Sequence, residues 1–258
     1  MRSSIPLYNA LAADYDVHFE VPHRRAYDDL AWEFVLPFLP DTPGQIIDAG
    51  CGVGRWAERL VALGHYVIGI EQTPARAAAA RNRWQTDRFR LVERSIEEVE
   101  PPEGEADLVL ALGSLQYTLD PEQIIEYFAH WVSPGGSVVV LVDSLVALVL
   151  ELIASGKDDE ALVRLQSRMG TWVLDGQQAD NHLFDRERLE NAFRRASLTE
   201  VCSKGLLVGA SALGRDELTG RLTNDWEAQL TLERTLAQSP LLADLGKQLL
   251  VSGRRRRL

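Results

Sequence analysis

Two features in the first third of the chain have residue types and spacing suited to holding a ligand. The stretch IIDAGCGVGRWAERL, residues 46–60, sets Gly50, Gly52 and Gly54 two apart, between a run that reads as a strand and one that reads as a helix. Glycines at such a bend allow a tight turn and let a ligand lie against bare backbone. The spacing is G-x-G-x-G, not the G-x-G-x-x-G of dinucleotide enzymes. A purely structural turn would use the same residues, so the pattern alone is weak. The second feature is Glu71, seventeen residues after Gly54, at the end of YVIGIE. In an open α/β sheet an acid at that strand end accepts hydrogen bonds from a ribose. An exposed carboxylate closing a strand is the alternative. Glycines and acid together point to a nucleoside-type ligand.

The elements around these residues give the fold class. QIIDAG, YVIGIE, FRLVERS, ADLVLALG and SVVVLVD read as strands, separated by RWAERLVALG, TPARAAAARNRW and PEQIIEYFAHWV, which read as helices. Gly64 is placed to stop the first of these helices, and Thr73 and Pro74 to start the second. SPGG, residues 133–136, reads as a turn. Residues 5–39 read as helical, with Leu7, Leu11 and Tyr15 and then Tyr27, Leu30, Phe34 and Phe38 at helical spacing. Strands alternating with helices imply βαβ units and a parallel sheet. Runs such as LVLAL and VVVLV suit strands covered on both faces. Right-handed crossovers then bring every parallel strand's C-terminal end, and any ligand, to one edge.

Composition narrows the partners. The 258 residues are 46% hydrophobic and 25% charged, with net charge −11. An acidic body repels phosphate backbones, so no nucleic-acid partner is expected. The arginines at 254–257 read as a solvated end. Cys51 and Cys202 form no metal-ligand pattern, so neither a zinc site nor a disulfide framework is expected. The most apolar stretch, residues 137–154, is broken by Asp143 and Ser144 and reads as a strand entering a helix, not a membrane span. The first residues lack a signal-peptide h-region, and the expected location is cytoplasmic.

Over residues 5–258 the chain resembles the class I S-adenosylmethionine-dependent methyltransferases. IIDAGCGVG, VIGIEQ, RSIEEV, ADLVLALGSLQYTLDP, WVSPGGSVVVL, LFDRERLENAFRRASL and GKQLLVSGRR carry the likeness in combination. The resemblance implies one Rossmann-like α/β domain, a seven-stranded, mostly parallel sheet whose last strand, about 247–254, is antiparallel. It implies S-adenosyl-L-methionine as cofactor and S-adenosyl-L-homocysteine as product. By the same likeness Gly50, Gly52 and Gly54 border the methionine part with Asp48 nearby, Glu71 holds the ribose hydroxyls and Gln72 borders the adenine. Ser95 and Ile96 follow the third strand, where the family often has an aspartate. Ala111 and Leu112 line the cofactor by backbone. Tyr8 and Tyr15 match a segment that folds over it, and Arg24 or Arg25 reaches its carboxylate.

Two insertions, 144–182 and 211–245, rise from strands that end on the cofactor edge, and with the helical N-terminal cap, residues 1–40, they are expected to form a helical lid. Their apolar and aromatic residues, Trp172 and Leu218 among them, must mostly pack the insertions down, while a few lining a pocket would suit a small organic acceptor. Candidate catalytic residues are His182, Gln116, Tyr117 and His18. Gln116 stands where relatives often carry a histidine; glutamine is no base, which favours orientation by hydrogen bonding. His65 and His130 read as structural. The activity expected is methyl transfer to nitrogen or oxygen of a small metabolite or natural product. The alternatives are methylation of a protein or peptide, a non-catalytic binding module, and a nicotinamide oxidoreductase.

Overall fold

A computed structural model describes residues 1–12, 17, 20–100 and 104–257. Seven strands form the main sheet: β1 (Gln45–Ala49), β2 (Tyr66–Ile70), β3 (Phe89–Val92), β4 (Ala106–Leu112), β5 (Val132–Asp143), β8 (Leu198–Leu206) and β9 (Gln248–Arg255). Their order is β3-β2-β1-β4-β5-β9-β8. All are parallel except β9, which runs antiparallel to both neighbours. The C-terminal ends of the six parallel strands therefore share one edge. Strand order reverses between β1 and β4, which opens a crevice at that edge.

The helices are α1 (Ile5–Leu11), α2 (Pro22–Val35), α3 (Arg55–Ala62), α4 (Pro74–Arg83), α5 (Pro121–Trp131), α6 (Leu145–Ala154), α7 (Asp158–Ser167), α8 (Arg186–Arg195), α9 (Val208–Leu213), α10 (Arg215–Asn224) and α11 (Trp226–Ala237). A hairpin, β6 (Met169–Leu174) and β7 (Gln177–His182), forms a separate two-stranded sheet.

Alternation along the strands divides the apolar runs between two cores. Ile47, Val109, Val138, Val140 and Val251 pack on one face with Phe128 and Phe193. Ile46, Leu108, Leu110, Val139, Leu141 and Leu250 pack on the other with Leu30 and Leu60. A strand covered on both faces has no polar side to present, and this is why LVLAL and VVVLV are unbroken.

The structure departs from the sequence reading in three places. SPGG is no free turn: it forms the irregular start of β5, and the β4–β5 register shifts between Ala106 and Leu108. Thr73 does precede α4, but its side chain caps nothing, and its backbone N–H goes to Glu71 instead. The first insertion holds the β6–β7 hairpin as well as helices. Its Asp175–Gly176 turn has φ of 48° and 77°, the two positive angles of a type I′ turn, whose twist matches the flanking strands.

Candidate active site

A cavity of about 730 Å³ opens at the C-terminal edge of the sheet. Its first half is built by the ends of β1, β2, β3 and β4. The backbone after β1 turns through positive φ at Gly50 (89°) and Gly52 (58°). A Cβ on Gly50 would collide with Ser114, so the close approach is needed by the protein's own packing. The turn's amides are used internally. Gly50 and Cys51 donate to the carbonyl of Ile70 at 2.8 and 2.9 Å, Gly54 donates to Cys51, and Gly52 donates to Glu71 Oε2 at 3.0 Å. A loop whose N–H groups turn inward is a poor cradle for a pyrophosphate, which disfavours a dinucleotide.

Glu71 is buried, and its Oε1 accepts the Thr73 N–H at 2.7 Å. Arg76 Nη1 lies 3.8 Å from Oε2, and the Arg76 guanidinium sits 4.4 Å from the Tyr8 ring centre. Asp48, at the end of β1, is also buried, and its Oδ2 has no hydrogen-bond partner among the described residues. Burial pushes the Asp48 carboxyl up to about 7, with the like charge of Glu71 adding to the shift and Arg76 opposing it. This half of the cavity thus presents two buried carboxylates, with the Arg76 guanidinium beside them. It fits a ligand that brings hydroxyl donors and positive charge, as the adenosyl sulfonium of S-adenosylmethionine does.

The other residues expected on this side are placed as follows. Asp48, Gly50, Gln72, Ser95, Ile96, Leu112 and Arg24 line the cavity. Gly52 and Gly54 stand behind its wall, where Glu71 and Trp84 meet them. Ala111 is wholly buried in the core and does not reach the lining, because β4 points Leu112 there instead. Ser95 is bonded to Glu97 as the cap of a short 3-10 turn, so its hydroxyl is already engaged. Arg25 is turned outward over the Trp226 ring at 4.8 Å, which leaves Arg24 as the one of the pair at the cavity. Tyr15 and His18 lie outside the described residues.

The second half of the cavity is lined by α1, the hairpin, both insertions and the end of β5, through Tyr8, Trp172, Leu148, Ala210, Leu218 and Asp143. Leu162 and Leu165 of α7 are about half exposed and do not line the cavity. Gln116 Nε2 donates to Asp143 Oδ2 at 3.2 Å, so this side chain orients rather than reacts. Tyr117 meets Tyr8 edge-on at 5.5 Å, and Tyr8 meets Trp172 at 5.7 Å. Burial holds the Tyr117 phenol well above its usual range, with Tyr8 and Asp143 adding to the shift, so it stays protonated.

His182 is a correction. Asn181 and Leu183 line the cavity, but His182 does not. Successive strand residues point to opposite faces, and the pleat sends this imidazole toward Phe184, at 6.4 Å between ring centres, and toward Glu122 and Arg188. Burial, with Arg188 next, lowers its pKa. Among the described histidines only His23 borders the cavity, held 3.0 Å from Thr219 Oγ1. His65 accepts from the Gly44 N–H and His130 bonds within α5, both structural as expected.

Residues that sequence reasoning missed are Asp143, Asn181, Gln248 and Arg76. Asp143 carried the signal already used for Glu71, an acid closing a buried strand. Asn181 could have been reached through the Asp-Gly hairpin signal. Gln248 and Arg76 had no local signal.

A seven-stranded sheet with one reversed strand and an acid-lined crevice at its switch point is the architecture of class I methyltransferases. The profile of the methyltransferase domain family matches residues 23–203. The chain belongs to this family of S-adenosylmethionine-dependent methyltransferases, and S-adenosylmethionine is the family's cofactor. A ubiquinone biosynthesis O-methyltransferase of Xylella fastidiosa (strain 9a5c) is 26% identical over 159 residues, covering 58% of this chain and 62% of that protein. The chain thus matches under two thirds of that relative's length. Among solved structures, an S-adenosylmethionine-dependent methyltransferase of Mesorhizobium loti superposes with TM-score 0.59 at 18% identity, covering 87% of this chain and 97% of the other. Phosphoethanolamine N-methyltransferase 2 of Haemonchus contortus, solved with S-adenosylmethionine, superposes with TM-score 0.60 at 14% identity, covering 89% and 53%. Among the described residues no helix is long and apolar enough to cross a membrane, and no cluster of side chains is suited to a metal.

Proposed function

We propose that the protein transfers a methyl group from S-adenosylmethionine to a nitrogen or oxygen of a small organic molecule. The observation that carries this reading is one continuous cavity of about 730 Å³ running from Glu71 to Asp143. That volume falls within the roughly 300–1,000 Å³ of small-ligand sites. A polymeric substrate would want an open basic groove. Oxygen as acceptor atom is supported by the name of the Xylella relative.

When bound, the cofactor supplies an electrophilic methyl group and its own leaving thioether. The protein's part is binding and alignment. Glu71 takes the ribose hydroxyls, Asp48 and the Gly50 backbone border the methionine part, and Gln72, Ile96 and Leu112 flank the base. Arg24 meets the carboxylate. Tyr8, Trp172 and Leu218 cover the acceptor and exclude water. Tyr117 keeps its proton and donates a hydrogen bond. Gln116 fixes Asp143. Among the described histidines only His23 borders the cavity, where Thr219 holds its ring, which favours positioning over base catalysis as the protein's part.

The test is transfer of labelled methyl from S-adenosylmethionine into a cell extract, separated by size at about 1 kDa, the scale of ligands such a cavity holds. Label appearing with enzyme in the small-molecule fraction supports the proposal; label confined to protein or nucleic acid overturns it.

A further inference from the structure

Four side chains from distant stretches of sequence meet at the acceptor end of the cavity. Asp143, the last residue of β5, is placed beside Gln248, the first of β9, by the strand register. Asp143 Oδ2 accepts from Gln116 Nε2 and from Asn181 Nδ2, both at 3.2 Å. Gln248 also hydrogen-bonds this carboxylate. An amide that presents its nitrogen to a carboxylate turns its oxygen away. Gln116 Oε1 and Gln248 Oε1 are both buried and accept no hydrogen bond among the described residues. Buried acceptors left in this way are rare in folded proteins and point to a missing donor.

Among the described residues, two cations that line the cavity near Asp143 are held by another acid. Lys247 Nζ is held by Glu151 at 2.6 Å, and Arg215, more than half exposed, lies 3.6 Å from the same glutamate. Burial raises the Asp143 carboxyl, with Gln248, Arg215 and Gln116 opposing the shift, and a cation alongside would favour its ionised form. Tyr8, Tyr117 and Trp172 give the same space aromatic walls, which also attract cations.

We propose that the acceptor molecule carries a primary ammonium group, whose three N–H donors go to the Asp143 carboxylate and to the amide oxygens of Gln116 and Gln248. The inference rests on the methyltransferase reading, whose acceptor it narrows. A hydroxyl head brings one donor, leaves an amide oxygen unmet and offers Asp143 no charge. An anionic head is repelled by Asp143.

The experiment is calorimetric titration of the full chain, saturated with S-adenosylhomocysteine, using three probes on one scaffold: 2-phenylethylamine, 2-phenylethanol and 3-phenylpropanoate. The expected result is that the amine binds about tenfold or more tightly than either other probe, as loss of a buried charge-assisted contact implies. Asp143→Asn is expected to erase that preference while leaving the affinity for S-adenosylhomocysteine within about twofold. If Asp143→Asn fails to bind S-adenosylhomocysteine, Gln116→Met and the wild-type comparison of probes carry the test. Amine and alcohol binding alike would assign the amide oxygens to water and overturn the proposal. So would tighter binding of the carboxylate, or no amine binding at about 10 mM by protein that binds S-adenosylhomocysteine. Failure to bind S-adenosylhomocysteine at all would count against the methyltransferase reading instead, so the two failures are distinct.

Discussion

The two halves of the cavity hold their acids by different means. Glu71 is fixed by main chain: the Gly52 and Thr73 amides grip both its oxygens, and all these residues lie within a short span of sequence. Asp143 is fixed by side chains, Gln116, Asn181 and Gln248, drawn from widely separated stretches. A carboxylate gripped by backbone keeps its place whatever side chains change around it, which suits a half that receives one invariant cofactor. A carboxylate gripped by side-chain amides can be retuned by single substitutions, which suits a half whose ligand differs between relatives. On the proposed function this is a division of labour: main chain at the sheet edge holds the donor, and side chains gathered from separate stretches choose the acceptor.

The largest predicted effects break each half separately. Glu71→Ala removes the proposed acceptor for the ribose hydroxyls and leaves the Gly52 and Thr73 amides without their partner. The expected loss is about 100-fold in affinity for S-adenosylmethionine, or about 2.7 kcal/mol, measured by calorimetry. Undiminished binding would move the cofactor elsewhere. Trp172→Ala strips an aromatic wall from the other half and should leave cofactor affinity within about twofold while raising the acceptor KM about tenfold, the scale of a lost aromatic contact. Equal effects on both ligands would erase the distinction between the halves.

The same contrast explains how much was legible beforehand. The strand ends at Asp48, Glu71 and Leu112 follow from apolar runs closed by glycine or acid, so the cofactor half could be read locally. The reversed final strand came from family likeness, not from its residues. On the acceptor side, Gln248 meets Asp143 only because β9 runs antiparallel beside β5, and Asn181 arrives only because the hairpin folds back. These are tertiary facts with no local period to betray them. His182 and Asn181 are one residue apart in the same strand, and one residue is enough to reverse the face.

A smaller effect sharpens the description of the cofactor half. Asp48 titrates near 7 in the folded chain, against an ordinary value of 3.8, chiefly because it is buried, with Glu71 adding and Arg76 opposing. The folded state therefore favours the protonated form, so this group's contribution to stability is fully present below about 3.8 and is lost as pH rises through about 7. A cation bound beside Asp48 reverses the preference and expels the proton. Affinity for S-adenosylmethionine should accordingly rise between pH 6 and 8, with up to about one proton released on binding, as read by calorimetry in buffers of different ionisation enthalpy. Asp48→Asn should flatten that dependence. A pH slope that survives in the variant would assign the proton to another group.

The smallest effect is expected at His182, the residue type most readily taken for a catalyst. Its neighbours on the strand, Asn181 and Leu183, line the cavity while its own ring lies among Phe184, Glu122 and Arg188. It cannot touch an acceptor without the hairpin strand turning over, which would pull Asn181 off Asp143 and bury Asp180, now bound to Arg2, in the wall. His182→Gln keeps a polar side chain of similar reach and should leave kcat/KM within about twofold and the rate-pH profile unshifted, at a stability change of about 1 kcal/mol or less. Asn181→Leu, one position away, should instead raise the acceptor KM several-fold, because Asp143 loses a donor. A large loss at 182 with none at 181 would mean that the working hairpin has the opposite face inward, and the acceptor half would have to be rebuilt around the imidazole.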